Sequence, residues 1–253
     1  MLVDRFDIRQ PLDSAPRARD MEGRYRSIDP GKYAEDAHVL LPLFDRVYPV
    51  QGTTWSLKSS AMVLDFNGPP GWSDNAEKLW RKLKRDGKGH MLFLSVGRGG
   101  FKIPDRVWYA TPERGSQGKK ARAIKLLNMA VDRLKDSVLA AVARLDEGPG
   151  SYPVPKWLEE DRLAELLAER RGEAGYDKRQ GVVRNETLDL SVQAQAIAEY
   201  RGLNRIDPAS PPEWMTLSEV NPFAIWKGIG HVGEQDGANR PLPAQRGIKW
   251  LQR

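Results

Sequence analysis

Asp65 follows the unbroken apolar run Ala61-Met62-Val63-Leu64 and precedes Phe66-Asn67-Gly68-Pro69-Pro70-Gly71. A short continuous apolar run suits a strand covered on both faces, and Asn-Gly-Pro-Pro-Gly forces the chain to turn. The carboxylate is therefore expected at the carboxyl end of a buried strand, the edge where open α/β sheets gather ligands. An acid there also suits an Asx turn that only caps the loop. A second acid, Asp189, opens a run in which Leu188, Val192, Ala196 and Tyr200 recur at helical spacing. On a helix packed over the sheet, its carboxylate can point at the same edge. Glu186 falls in the first turn of that helix, where the dipole favours acids whatever their role.

Cations flank these acids in the sequence. Gly97-Arg98-Gly99-Gly100-Phe101-Lys102 is expected to leave the next buried strand at the same edge. Its glycines let backbone approach a phosphate while Arg98 and Lys102 supply charge; a plain flexible loop has the same composition. It is not a Walker A motif, because no Gly-Lys-Ser/Thr follows a four-residue gap. Residues 113–123, with Arg114, Lys119, Lys120 and Arg122, are basic enough to track a nucleic-acid backbone or simply to be solvated. Lys135 sits on a helix where it either contacts a phosphate or faces water, and Asp132 and Asp136 beside it are further candidate acids.

The elements expected to position these residues alternate between strand and helix. Residues 1–8 alternate like a strand. Asp29-Pro30 reads as N-cap and first residue of a helix, with Tyr33, Ala37, Leu40, Leu41 and Phe44 inward, Glu35 and Asp36 solvated, and Pro49 closing it. Residues 57–64 form the Asp65 strand. Residues 75–85 form an amphipathic helix with Ala76, Leu79, Trp80 and Leu83 inward and Asp74 as a possible cap, and residues 90–96 a second strand. Strand, helix and strand from 60 to 96 make a parallel, right-handed pair by the crossover rule. Residues 124–131 read as a third strand running into a helix with Leu134, Val138, Leu139, Val142 and Leu145, which Gly148-Pro149-Gly150 ends. An extended Pro-rich connector leads to a charged helix at about 158–171, a hairpin-like polar segment at 172–184, and the Asp189 helix, which Gly202 terminates. From about residue 206 the chain turns Pro- and Gly-rich, with Trp214, Phe223, Trp226 and Trp250, like an appended tail.

Composition narrows the partners. Across 253 residues, 40 Lys and Arg against 34 Asp and Glu give a net charge of +6, which favours a polyanion, nucleic acid before membrane. There is no cysteine, so disulfides and Cys-ligated zinc are excluded and a reducing compartment fits. No apolar run reaches the ~18 residues of a membrane span and the N-terminus has no signal-peptide core, so a soluble, intracellular protein is expected.

Several blocks, in this order, resemble one family: Asp65-Phe66-Asn67-Gly68 with the Asn75-Ala76-Glu77-Lys78-Leu79-Trp80 helix and the strand at 90–96; Val131-Asp132-Arg133-Leu134-Lys135-Asp136; Gly148-Pro149-Gly150 with Pro155-Lys156-Trp157-Leu158; and Arg184-Asn185-Glu186-Thr187-Leu188-Asp189. The chain resembles the C-terminal endonuclease domain of the lambda-type phage terminase large subunit. The resemblance implies a ribonuclease H-like α/β fold, a mixed sheet flanked by helices and lacking its first strands, over residues 1–205. Residues 206–253 would be a C-terminal tail whose last residues, 246–253, dock to the portal, while Trp226 is expected to fold back onto the nuclease core. It implies a Mg²⁺- or Mn²⁺-dependent endodeoxyribonuclease that cuts concatemeric viral DNA during genome packaging, with two ions and with Asp65, Asp189 and Glu186 as their ligands. Two such ions require several hard carboxylates and few other protein ligands. Arg98, Lys102, Lys119, Lys120 and Lys135 become the candidate DNA contacts. The implied partners are double-stranded DNA, a terminase ATPase segment or subunit, the terminase small subunit and the portal protein, in the cytoplasm of an infected bacterial cell and with no membrane.

The sequence also departs from the family pattern. The opening strand whose Asp would be the first metal ligand is missing, as is the packaging ATPase, and Asp4 and Asp7 stand on the wrong strand to replace that ligand. Asp65 is followed by Phe-Asn-Gly where the family tends to have Ser-Gly-Gly. The expectation is the C-terminal piece of a split or interrupted terminase. The competing class is a catalytically incomplete DNA-binding or packaging-assembly module that needs a partner chain. A resolvase or integrase of ribonuclease H-like fold would not account for Gly-Pro-Gly ahead of Arg-Asn-Glu-X-Leu-Asp.

Overall fold

The computed structural model describes residues 4–111, 124–144, 146, 148 and 150–226. Their elements in order are strands β1 (Val47–Pro49), β2 (Trp55–Lys58) and β3 (Met62–Asp65), helix α1 (Trp72–Arg85), strands β4 (Leu92–Arg98), β5 (Val107–Ala110) and β6 (Leu126–Ala130), helices α2 (Val131–Ala143) and α3 (Glu160–Leu166), strands β7 (Glu169–Arg171) and β8 (Tyr176–Lys178), helix α4 (Glu186–Tyr200) and strand β9 (Ala224–Trp226). A 3-10 segment, Ala34–Phe44, precedes β1. The sheet order β3-β4-β6-β5 is mixed: β4 and β6 are parallel, β5 and β6 antiparallel. With its flanking helices this is an α/β architecture consistent with a ribonuclease H-like nuclease. Among the described residues no helix is long and apolar enough to cross a membrane.

The chain divides into two compact units, Phe6–Phe93 with Ala209–Arg253, and Leu94–Pro208 with Met1–Arg5. In the first, α1 packs on the 3-10 segment. Ala76, Leu79 and Leu83, on one face of α1, are at most 1 % exposed, and Phe44 and Trp72 join them in the core. The tail contributes to this unit: β9 pairs antiparallel with β2, Trp55 opposite Trp226, and the Trp226 indole N–H donates to Thr54 Oγ1 at 3.1 Å. Residues 246–253, expected to be a docking segment, lie outside the described residues. In the second unit every residue of β6 is buried, which is why the strand is apolar except for Asn128. α2 starts on the residue after β6 with no intervening turn. Leu134 and Val138 of α2 and Leu188, Val192 and Ala196 of α4 make the core where α2 packs on α4.

Several sequence expectations need correction. Residues 4–8 form no strand; their apolar side chains alternate without a partner strand. The segment after Pro30 is 3-10 and begins at Ala34, because Pro42 inside it has no N–H for an α-helical ladder. Pro49 ends β1 rather than a helix. Residues 57–64 are two strands in two sheets, β2 and β3. The charged helix stops at Leu166, and residues 169–178 form the β7–β8 hairpin. β5 was not foreseen. Asp36, expected in water, is 0 % exposed; it accepts from both terminal nitrogens of Arg26 at 2.5 and 2.6 Å and from the Asp29 N–H at 2.6 Å. Asp74 lies within α1, whose N-cap is Gly71.

Candidate active site

Asp65 ends β3, as its sequence context requires. The Asn67 N–H donates to its Oδ1 at 3.0 Å, so the Asx turn is formed. The turn is braced from behind. The buried Trp72 indole N–H donates to the Asp65 backbone carbonyl at 2.8 Å, and the Ser73 hydroxyl to the Phe66 carbonyl at 2.9 Å. Gly71 has φ +84°, and a Cβ there would collide with the Gly31 carbonyl oxygen, so the Pro-Pro-Gly turn admits no side chain at that point. Burial pushes the Asp65 carboxyl above its usual range, against the opposing effect of the Asn67 and Phe66 N–H groups. Asp65 belongs to the first unit; Asp189, Glu186 and Lys135 belong to the second.

Glu186 and Asp189 both lie in the first turn of α4. Burial, and then the neighbouring charge of Asp189, raise the Glu186 carboxyl. The side chain of the N-cap residue, Asn185, makes no capping bond. That role falls to buried Glu165 of α3, whose Oε2 accepts from the Thr187 N–H at 3.2 Å and its hydroxyl at 2.7 Å, a carboxylate at the positive end of a helix. Arg162 donates to the other oxygen at 2.7 Å, and Arg5 and Arg184 stand at 3.4 Å. Burial alone would raise the Glu165 carboxyl, but these donors and charges outweigh it and hold it below the usual range. A carboxyl lowered in the folded state contributes stability above its unfolded value, and that stability is lost as pH falls through the folded one. Glu165→Gln is therefore expected to lower the melting temperature at neutral pH. The gap to wild type should close as a pH series of melting curves passes below the ordinary carboxylate range; a gap independent of pH would contradict this.

Lys135 is buried rather than solvated, with Nζ 2.6 Å from Glu169 Oε2 and 3.8 Å from Asp189 Oδ1. Asn185 Nδ2 donates to Glu169 Oε1 at 2.6 Å and to Asp189 Oδ2 at 2.9 Å. Asp132 is buried too: it accepts from the Gly100 N–H and, at 3.1 Å, from the Tyr176 N–H, tying the glycine loop to the β7–β8 hairpin. That amide of the loop is thus engaged by a carboxylate of the chain itself. Asp136 accepts from the Tyr176 hydroxyl and Arg171 Nε, both at 2.9 Å. The Arg98 guanidinium donates to Asn128 Oδ1 at 3.2 and 3.1 Å. Lys102 is exposed, and Lys119 and Lys120 lie outside the described residues.

Glu165, Glu169, Asn185 and Tyr176 carry this arrangement, and none was assigned a role from sequence. Asn185 sat inside a motif already singled out; the glutamates stood in a stretch so rich in charges that nothing marked them as buried. Among the described residues no group of three or more His, Asp or Glu is placed to hold a metal ion. In chemistry the carboxylates suit a hard divalent cation. Glu186 and Asp189 crowd two negative charges on one helical turn, and Asp65 is held where its charge is poorly solvated.

No curated protein and no solved structure matches the chain. A family model, "Terminase large subunit gpA, endonuclease domain", matches residues 1–208 of the 253. It spans Asp65, Lys135, Glu186 and Asp189 together with the blocks that carry the resemblance. The chain belongs to the terminase large subunit gpA endonuclease domain family.

Proposed function

We propose that this chain is the endonuclease part of a phage DNA-packaging terminase and cuts concatemeric viral DNA with Mg²⁺ or Mn²⁺, two ions per site. The family match over residues 1–208 carries the reading. Asp65, Asp189 and Glu186 are the carboxylates assigned to the metal; the crowded acid pair on α4 and the buried charge of Asp65 support that assignment. Bound divalent ions would supply Lewis-acid polarisation of phosphate oxygens and lower the pKa of water. The chain's own contribution is to orient the acids and to bring cations to the phosphate backbone. Lys102 and Arg98 are assigned that second role, with Lys119 and Lys120; Lys135, enclosed against Glu169, is not. The working partners are double-stranded DNA, a packaging ATPase segment or subunit, the small subunit and the portal, in the cytoplasm of the infected cell.

A second reading, a DNA-binding assembly module incomplete as a nuclease, draws on the absence of a three-acid group among the described residues. Plasmid nicking by the purified chain with Mg²⁺ or Mn²⁺ decides between them. Nicking by the chain alone supports the first; nicking only after the ATPase chain is added supports the second; none in either case rejects the nuclease role. DNA affinity should fall steeply with salt as neutralised phosphates release counterions. Lys102→Glu is the cleaner probe of the loop, because Arg98 also braces Asn128. It is expected to weaken binding to all sequences alike and to lower the salt slope by about one. Affinity unchanged between low and physiological salt would refute backbone tracking.

A further inference from the structure

We infer that Lys135, Glu169 and Asn185 form a closed ring with Asp189 and act as positioning residues for its carboxylate, an inference that rests on the nuclease reading above. Within the ring Glu169 is hydrogen-bonded at both oxygens, and Asp189 is hydrogen-bonded at one and faces a cation at the other. Glu169 receives Lys135 at Oε2, 2.6 Å, and Asn185 at Oε1, 2.6 Å. Asp189 faces Lys135 at Oδ1, 3.8 Å, and accepts from Asn185 at Oδ2, 2.9 Å. One Asn185 nitrogen serves both acids, which matches its two hydrogens to two acceptors. The ring is uneven in burial. The side chains of Lys135 and Glu169 are 10 % and 4 % exposed, whereas that of Asp189 is 47 % exposed. Lys135 therefore spends its close contact on Glu169, and Asp189 keeps a solvent-facing side while its rotamer is fixed from behind. Three elements supply the parts: α2 gives Lys135, β7 gives Glu169, and the start of α4 gives Asp189 next to Asn185.

A buried Lys–Glu pair with only a structural role is replaceable by uncharged residues at little cost. A pair that orients a working carboxylate is not, since loss of such supporting partners costs roughly 10–100-fold in metal affinity or activity. The test compares the wild-type chain with Asn185→Leu and with Lys135→Met/Glu169→Gln. The double variant removes one positive and one negative charge, so the net charge around Asp189 is kept and a change reports orientation. Mn²⁺ binding is read from the electron paramagnetic resonance of the free ion, kcat and KM from plasmid nicking, and folding from the Tm. Both variants are expected to bind Mn²⁺ roughly 10–100-fold more weakly, with kcat reduced, KM for DNA unchanged, and the double variant melting near wild type. If Asn185→Leu does not fold, the double variant decides. Folded variants that bind Mn²⁺ and nick like wild type overturn the ring alone. A wild-type chain that neither binds Mn²⁺ nor nicks DNA, with or without the ATPase chain, overturns the nuclease reading and the ring with it.

Discussion

Asp65→Asn and Asp189→Asn are each expected to abolish metal-dependent nicking while leaving the chain folded. Both changes keep the local hydrogen bonds. An asparagine carbonyl at 65 still accepts from the Asn67 N–H that closes the Asx turn at 3.0 Å. One at 189 still accepts from Asn185, now at 2.9 Å from Oδ2. What is lost in each case is one negative charge. If Asp65 only capped its loop, Asp65→Asn would nick DNA at the wild-type rate, so this variant separates the two roles its sequence context allows. Burial raises the Asp65 carboxyl, so its ionised form is the costly one and Asp65→Asn should melt no lower than wild type. The activity loss should exceed a hundredfold, beyond the roughly 10–100-fold that follows from losing a supporting residue. Glu186→Gln should cost less, because the first turn of α4 favours an acid for dipole reasons alone. The measurement is initial nicking rate with Mg²⁺ and with Mn²⁺, in the presence of the ATPase chain if the wild type requires it.

The parts legible in the sequence were those governed by short-range rules. Asp65 at the end of its strand followed from an apolar run meeting Asn-Gly-Pro-Pro-Gly, and α1, α2 and α4 followed from 3.6-residue periodicity. The charged stretch around 158–184 was not legible, because its structure depends on partners distant in sequence. Glu165 is buried only because the amide end of α4 and three arginines meet it, and Glu169 only because Lys135 and Asn185 do. No periodicity separates such acids from their solvated neighbours. Lys135 shows the same limit from the other side: a lysine beside Asp132 and Asp136 reads as surface, yet its stem and charge are enclosed. β5 is four residues long and each is only half-buried, too short for alternation to register. That Trp226 folds back was legible from its bulk and apolar character, but its pairing as a strand was obscured by the prolines before it, which break the chain without preventing the return of three residues to an open edge of β2.

The largest stability effect is expected at Asp36. Its side chain is 0 % exposed and it accepts three hydrogen bonds, two from Arg26 at 2.5 and 2.6 Å and one from the Asp29 N–H at 2.6 Å. Arg26 reaches further: it donates to the backbone carbonyls of Arg17, Pro16 and Ser27 at 3.0, 3.1 and 3.1 Å, and its guanidinium stacks 4.0 Å from the Tyr33 ring centroid. One guanidinium thus clamps the polar excursion before residue 29 onto the 3-10 segment, with Asp36 as its counter-charge. Asp36→Ala removes that counter-charge and leaves Arg26 only 18 % exposed. Breaking a buried pair from one side costs about 3–5 kcal/mol, equivalent to a fall in Tm on the order of 10 °C for a chain of this size. Asp36→Asn keeps the shape and an acceptor and should fall between the two. Because the pair is enclosed, the loss should be nearly the same at low and at physiological salt, unlike that of an exposed pair. Thermal melts of the three proteins at two salt concentrations provide the measurement. A fall of less than about 2 °C for Asp36→Ala, or one that disappears at the higher salt, would show that the clamp contributes little to the folded state.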